Sequence, residues 1–247
     1  MADPKAALIS PAEAVTAGLR DGKTHLLLAS SGSVATIKLP LIISAFAETP
    51  NLSIRVILTK SAAHFLAGQS HEQPTVASLS QLPNVDGVYH DEDEWTVPWT
   101  RGASILHIEL RRWAHILAVV PLSANTLAKI TNGMADNLLT SVIRCWDISP
   151  DNPRRPRILV APAMNTQMWL HPITEKQIRV LEDEWGVNGS NTSLGWYEVL
   201  QPQTSKMLAC GDRGSGAMLD WNEIVAIIKD RLRLYLSNQT APEAVDL

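Results

Sequence analysis

Cysteine is scarce in this sequence. Cys145 and Cys210 are the only two and lie far apart, so neither a disulfide framework nor a zinc site of spaced Cys and His pairs can be built. With nothing resembling a secretory leader ahead of them, a reducing, cytoplasmic setting is expected, and no metal. No apolar run approaches the roughly 20 residues that cross a bilayer, which predicts a soluble chain. Basic tracts are absent too: Arg111-Arg112 and Arg154-Arg155 are isolated pairs, and the formal net charge is -4. Neither nucleic acid nor an anionic membrane is indicated as a partner. Phenylalanine and tyrosine are few, 2 and 3 residues, against 8 tryptophans. Trp suits places where a flat apolar body meets a polar edge, as at interfaces and ligand pockets.

What is present is an ordinary globular composition, 45% hydrophobic and 19% charged over 247 residues. It is most economically one domain over 23–236, with an N-terminal leader at 1–22 and a short polar tail at 237–247. Ser10-Pro11-Ala12-Glu13 reads as a capping box for a short, peripheral helix through Leu19. Strands are expected at His25–Ala29, Ile54–Leu58, Ile116–Val120 and Ile158–Ala161, with a last short one at Tyr197–Leu200. Helices are expected at 37–47, 61–66, from Ser123, at 135–146, 173–185 and 223–236. Ser104 to Leu110 alternates as a strand would, and puts His107 on a polar face beside Glu109. Residues 67–88 lose all periodicity and read as a surface excursion, and Asp91-Glu92-Asp93-Glu94 as a solvated acidic corner. Apolar strands alternating with helices predict an open parallel sheet covered on both faces, a three-layer α/β/α sandwich.

In such sheets ligands sit beyond the carboxyl ends of the strands. The first strand empties into Ser30-Ser31-Gly32-Ser33-Val34-Ala35, and strand, small-residue loop and helix together make a phosphate-binding arrangement. A tight turn without a ligand fits that loop equally, since it lacks the dinucleotide fingerprint. The strand at 158–161 runs into Pro162, Asn165, Met168 and Trp169. Asn165 therefore stands where chemistry would stand, or else caps the helix that Pro172 begins. Taken alone, His107 reads as an exposed histidine and Cys145 as a packing residue. The glycines of the 210–218 stretch fit either a flap or a surface turn.

Five segments occur in an order that resembles the flavin-dependent cysteine decarboxylases. They are Gly32-Ser33-Val34-Ala35, His107-Ile-Glu-Leu-Arg-Arg-Trp113, Ser123-Ala-Asn-Thr126, Pro162-Ala-Met-Asn-x-x-Met-Trp169 and Cys210-Gly-Asp-x-Gly-x-Gly-Ala-Met218. Together they span most of the chain, and within the family they look most like the eukaryotic phosphopantothenoylcysteine decarboxylases of coenzyme A synthesis. The resemblance implies a Rossmann or flavodoxin-like flavoprotein with FMN as cofactor. FMN would be held by Gly32, Ser33, Val34, Thr59, Ser123, Ala124, Asn125 and Thr126, with Ala163 near the ring. It further implies that 4'-phosphopantothenoylcysteine is oxidised at its cysteinyl group, loses carbon dioxide, and is reduced again to 4'-phosphopantetheine. By the same resemblance His107 is the base or proton relay, Asn165 binds the substrate carboxylate or amide, and Cys210 donates the proton of the final reduction. Met164, Met218 and Lys38 would contact substrate. A homotrimer with sites shared between neighbours is implied as well.

Rival readings exist within the same family. Some relatives are phosphatase-inhibiting regulators, or members of mixed trimers that divide the catalytic residues between chains, so a phosphatase or a paralogue is an alternative partner. Peptidyl-cysteine decarboxylases stop at the oxidised enethiol and have no use for Cys210. Flavin prenyltransferases of similar fold would lack Asn165-x-x-Met168-Trp169.

Overall fold

The computed structural model describes residues 9–70, 73–149, 151–152, 156–189, 195–204, 206–207 and 213–240, with side chains at all of these except 206, 207, 213 and 238–240. Helix α1 (Pro11–Ala17) precedes β1 (Thr24–Ser30), a 3-10 turn at Val34–Lys38, α2 (Leu39–Ser44), β2 (Leu52–Leu58), α3 (Lys60–His64), α4 (Val76–Leu79) and β3 (Val85–Tyr89). A second 3-10 turn, Asp91–Trp95, leads to α5 (Leu106–Trp113), β4 (Ile116–Leu122), α6 (Ala124–Thr131), α7 (Leu138–Arg144) and β5 (Arg157–Pro162). The chain continues through α8 (Thr166–Trp169), α9 (Pro172–Arg179), a π turn at Val180–Glu184, β6 (Tyr197–Val199), β7 (Lys206–Met207), β8 (Arg213–Gly214) and α10 (Trp221–Thr240).

Six parallel strands lie in the order β3-β2-β1-β4-β5-β6. The order reverses between β1 and β4, which opens a crevice at the carboxyl ends of those two strands. The three-layer sandwich expected from the sequence is the one observed. Alternate residues of each strand feed two cores: Leu27, Ala29, Leu117, Val119, Ile158 and Val160 pack toward α1, α5, α6 and α7, and Leu26, Leu28, Ala118, Val120, Leu159 and Ala161 toward α2 and α10. Burial on both faces is why β1, β4 and β5 read as apolar runs, whereas β2, equally buried, carries Ser53 and Arg55 within it.

Four expectations are corrected. The segment around His107 is helical: Leu106, Glu109, Leu110 and Trp113 are buried, a spacing of three and four residues, so the alternation of Leu106, Ile108 and Leu110 was coincidental. The 67–88 excursion contains α4 and the edge strand β3, which pairs with β2. Helix α1 carries the predicted capping box, but it is integral: Val15 is wholly buried with Leu110 and Trp113 of α5. The acidic corner is an ordered turn, as described below.

Among the described residues no helix is long and apolar enough to cross a membrane, and none of the His, Cys, Asp and Glu side chains group as a metal site would require.

Candidate functional site

A cavity of about 490 Å³ opens at the carboxyl ends of β1, β4 and β5. Three loops and the start of α10 build it. The loop after β1 supplies Gly32, Ser33, Val34 and Lys38, the loop after β4 supplies Ser123, Ala124 and Asn125, and the loop after β5 supplies Ala163, Met164 and Asn165.

Side-chain hydroxyls join the first two loops across the crevice. Ser30 Oγ donates to the Val120 carbonyl at 2.6 Å, Ser31 Oγ donates to the Pro121 carbonyl at 3.1 Å, and the Ser123 N–H donates back to Ser31 Oγ at 2.8 Å. Gly32 is required by closeness to α3: a Cβ there would stand 2.6 Å from the Cβ of Ser61. Ser33 caps the Val34–Lys38 turn, its Oγ accepting the Ala35 N–H, and Ser123 caps α6, its Oγ accepting the Thr126 N–H. Two helical N-termini thus face one cavity, each ringed by small polar groups, a setting suited to a phosphate monoester. The lining also contains the apolar side chains of Phe65, Ala163, Met164 and Met218, which suit a flat ring system.

The loop after β5 is shaped by Asn165. Its Oδ1 accepts the Met168 N–H at 2.8 Å and caps α8, not the helix at Pro172, which His171 caps. That bond leaves the Nδ2 amide, a donor without a partner among the described residues. Capping and recognition are therefore compatible duties of one side chain.

Eleven of the residues expected at the site line the cavity, namely Gly32, Ser33, Val34, Lys38, Ser123, Ala124, Asn125, Ala163, Met164, Asn165 and Met218. Two cofactor candidates do not. Thr59 is buried and its Oγ1 accepts the Ala62 N–H at 3.2 Å, capping α3. Thr126 is buried beneath the loop, its Oγ1 accepting from Ser123 Oγ at 3.2 Å. His107 is also outside the cavity lining, in the first turn of α5, where Nδ1 lies 2.5 Å from Glu94 Oε1. Cys210 lies outside the described residues, in the segment bracketed by the antiparallel pair β7–β8. Sequence reasoning assigned no site role to Ala35, Ile37, Phe65, Met168, Gly216, Ala217, Leu219, Asp220 and Trp221. Ala35, Met168, Gly216 and Ala217 belong to motifs already singled out, whereas Phe65 and Trp221 reach the cavity only through the fold.

Cys145, read as a packing residue, is half-buried, and burial pushes its thiol pKa up although the Arg111 guanidinium opposes the shift. A raised pKa leaves it the inert thiol expected of such a residue.

A doubly wound parallel sheet of order 3-2-1-4-5-6, with its cavity at the switch of strand order, is a Rossmann-like three-layer α/β fold of the kind that takes nucleotides and phosphate esters at that place. The comparisons narrow that class: residues 15–233 match the family model described as Flavoprotein, and the chain belongs to that family. A phosphopantothenoylcysteine decarboxylase of Arabidopsis thaliana is 43% identical over 218 residues, 88% of this chain and 87% of that one. A solved phosphopantothenoylcysteine decarboxylase, a cysteine-to-serine variant complexed with pantothenoylaminoethenethiol, superposes with a TM-score of 0.67 at 39% identity, covering 87% of this chain and 99% of that one. The solved FMN binding protein AtHal3 superposes with a TM-score of 0.65 at 40% identity, covering 89% and 100%. The chain spans only 30% and 39% of the length of two other relatives, a probable thymidylate synthase of Schizosaccharomyces pombe and Protein SIS2 of Candida tropicalis.

Proposed function

We propose that this chain is an FMN-dependent decarboxylase that converts 4'-phosphopantothenoylcysteine to 4'-phosphopantetheine, acting as a homotrimer with shared sites. One observation carries the reading: the Asn165 loop and the two phosphate-type loops, from three different parts of the sequence, meet in one cavity. The names of the relatives support it, since a decarboxylase and an FMN binding protein of this fold match nearly end to end.

Gly32, Ser33, Val34 and Ser123 to Asn125 would hold the FMN phosphate and ribityl chain, and Ala163 would wall the ring. The flavin supplies a two-electron acceptor and donor, without which the carbanion left by carbon dioxide has no stabilising group. Everything else falls to the protein. Asn165 Nδ2 donates to the substrate carboxylate and orients it without adding a charge that would hold it as an anion. Met164 and Met218 give adaptable apolar contact to the cysteinyl and pantothenoyl parts. Lys38, exposed at the cavity edge, meets the substrate's anionic end. His107 Nε2 exchanges a proton with the cysteinyl group, and Cys210, as a protonated thiol, returns one in the last step.

His107 is half-buried and is not among the residues lining the cavity of its own chain, while Trp95, Val97 and Trp99, in the segment that follows its partner Glu94, are exposed. A neighbour docking on this apolar segment would bring His107 to the adjacent cavity, which is the support for shared sites.

The test is a visible spectrum of the purified protein together with mass analysis of its product from 4'-phosphopantothenoylcysteine. A yellow protein releasing 4'-phosphopantetheine meets the expectation. A product two hydrogens lighter would place the chain on the oxidative branch, and a yellow but inert protein would overturn the homotrimeric enzyme in favour of a mixed trimer or a regulator. Cys210→Ser is expected to decarboxylate yet accumulate the oxidised product.

A further inference from the structure

The run Asp91-Glu92-Asp93-Glu94 is held from both ends. Asp93 Oδ2 accepts the His90 N–H at 2.6 Å, and Asp91 Oδ1 accepts the Leu138 N–H at 3.0 Å, at the start of α7. These bonds turn Glu94 inward, so that its side chain is only 6% exposed although it belongs to a run of four acids. A carboxylate buried to that degree is costly unless a donor meets it. Two do. Nδ1 of His107 lies 2.5 Å from Glu94 Oε1, and the His107 backbone N–H lies 3.5 Å from the same oxygen. The second contact falls at the open N-terminus of α5, where Ile105 occupies the cap position and makes no side-chain cap bond.

The backbone of this turn of α5 is tied to the end of α7. Cys145 Sγ donates to the His107 carbonyl at 3.8 Å, and Arg111 Nε donates to the Cys145 carbonyl at 2.8 Å, tying α5 to the end of α7. Glu94, from the 3-10 turn, is thus the titratable group that meets the His107 ring, while Cys145, at the C-cap of α7, meets only its backbone carbonyl.

An ionised carboxylate only accepts hydrogen bonds, so the ring nitrogen next to it must carry the proton. We propose that Glu94 is a positioning residue for His107: it fixes the Nδ1–H tautomer and the ring orientation, and so leaves Nε2 as the nitrogen that exchanges a proton with substrate. This rests on the reading of His107 as the proton-transfer residue and adds what that reading lacks, a reason for one ring nitrogen to be the reactive one. When Nε2 accepts a proton, the positive charge faces Glu94, while the proton itself stays on Nε2 and the carboxylate remains ionised. The same bond caps α5, so a purely structural role would give Glu94 a stability effect and nothing more.

The test uses holoenzyme labelled with 15N-histidine. In the wild type the His107 ring is expected to carry its proton on Nδ1, with a downfield proton resonance from the bond to Glu94. Glu94→Gln keeps an oxygen for the helix cap but offers the ring an amide in place of a charge. It is expected to mix the tautomers and to lower kcat at least about 10-fold, up to the loss of about 10⁴-fold that follows replacement of the carboxylate behind a proton-transfer histidine by its amide, with KM and flavin content unchanged. Glu94→Asp is expected to recover part of the rate. Wild-type turnover by Glu94→Gln, or a wild-type ring protonated on Nε2, overturns the proposal, and the second result needs no variant to fold. Full activity in His107→Asn would instead remove the role of His107, while the ring's tautomer would still report whether Glu94 sets it.

Discussion

The backbone N–H of Met164 donates to the carbonyl of Gly216 at 2.9 Å, which joins the loop leaving β5 to the stretch that follows β8. Gly216 has φ of 98°, and a Cβ there would stand 2.6 Å from the Met164 carbonyl oxygen and 3.0 Å from the Cβ of Trp169. Gly216→Ala is expected to cost about 1–3 kcal/mol of stability, the scale of a non-glycine residue forced into such a conformation. A shifted denaturation midpoint and a larger proportional loss of turnover than of flavin content are the readouts.

Asn165 permits its two duties to be separated. Aspartate retains an oxygen for the Met168 N–H, so Asn165→Asp is expected to stay within about 0.5 kcal/mol of the parent, whereas Asn165→Ala loses about 1 kcal/mol as a missing helix cap. Both remove the Nδ2 donor, and both are expected to lower decarboxylation about 10²-fold or more, the scale of deleting one directed donor. Thermal melts and turnover measured on the same preparations check the pair.

If sites are shared, His107→Asn and Asn165→Asp should complement each other. Each variant alone is expected to bind flavin and be inactive. Coexpressed, they should assort at random, so that about a quarter of the sites carry both intact side chains. Activity near that fraction in the mixed oligomer is the expected result, and none at all would place His107 and Asn165 of one site on the same chain.

Acid stability has a local source at the amino end of β1. Burial pushes the Asp21 carboxyl upward, but hydrogen bonds from the Lys23 N–H and the His25 ring outweigh it and hold the pKa below the ordinary value. A carboxyl depressed in the folded state stabilises above its unfolded pKa of about 3.9 and loses that contribution as pH falls through the folded value. Asp21→Asn is therefore expected to unfold more easily than the parent at neutral pH, with the two curves converging below about pH 4.

The sheet was legible because a strand buried on both faces cannot hide its composition. Leu26 to Ala29 and Ile158 to Ala161 contain no polar residue. Strand β3 was missed because it is an edge: Val85, Gly87 and Val88 are only half-buried and Asp86 is exposed, so no apolar run forms. Helix α5 was mistaken for a strand because Leu106, Ile108 and Leu110 mimic a period of two over a stretch too short to expose the contradiction.

Most of the cavity lining was legible, since loops after parallel strands have a predictable place. The partner of His107 was not. Glu94 is thirteen residues away in sequence, inside a run whose composition points to solvent, and only the bonds made by Asp91 and Asp93 turn it inward.

The two loops that carry Gly32 and Ser123 to the cavity are joined by residues 90 apart in the chain, through the hydroxyls of Ser30 and Ser31 and the carbonyls of Val120 and Pro121. A chain with β1 and β4 not yet in register has no such junction, so a ligand bound between those loops discriminates between folded and unfolded molecules almost completely. By mass action such a ligand raises the stability of the whole sheet, by about 2.7 kcal/mol at a concentration one hundred times its Kd. Melting temperature should therefore rise with flavin concentration, and flavin supply would set how much of this protein persists in the folded state.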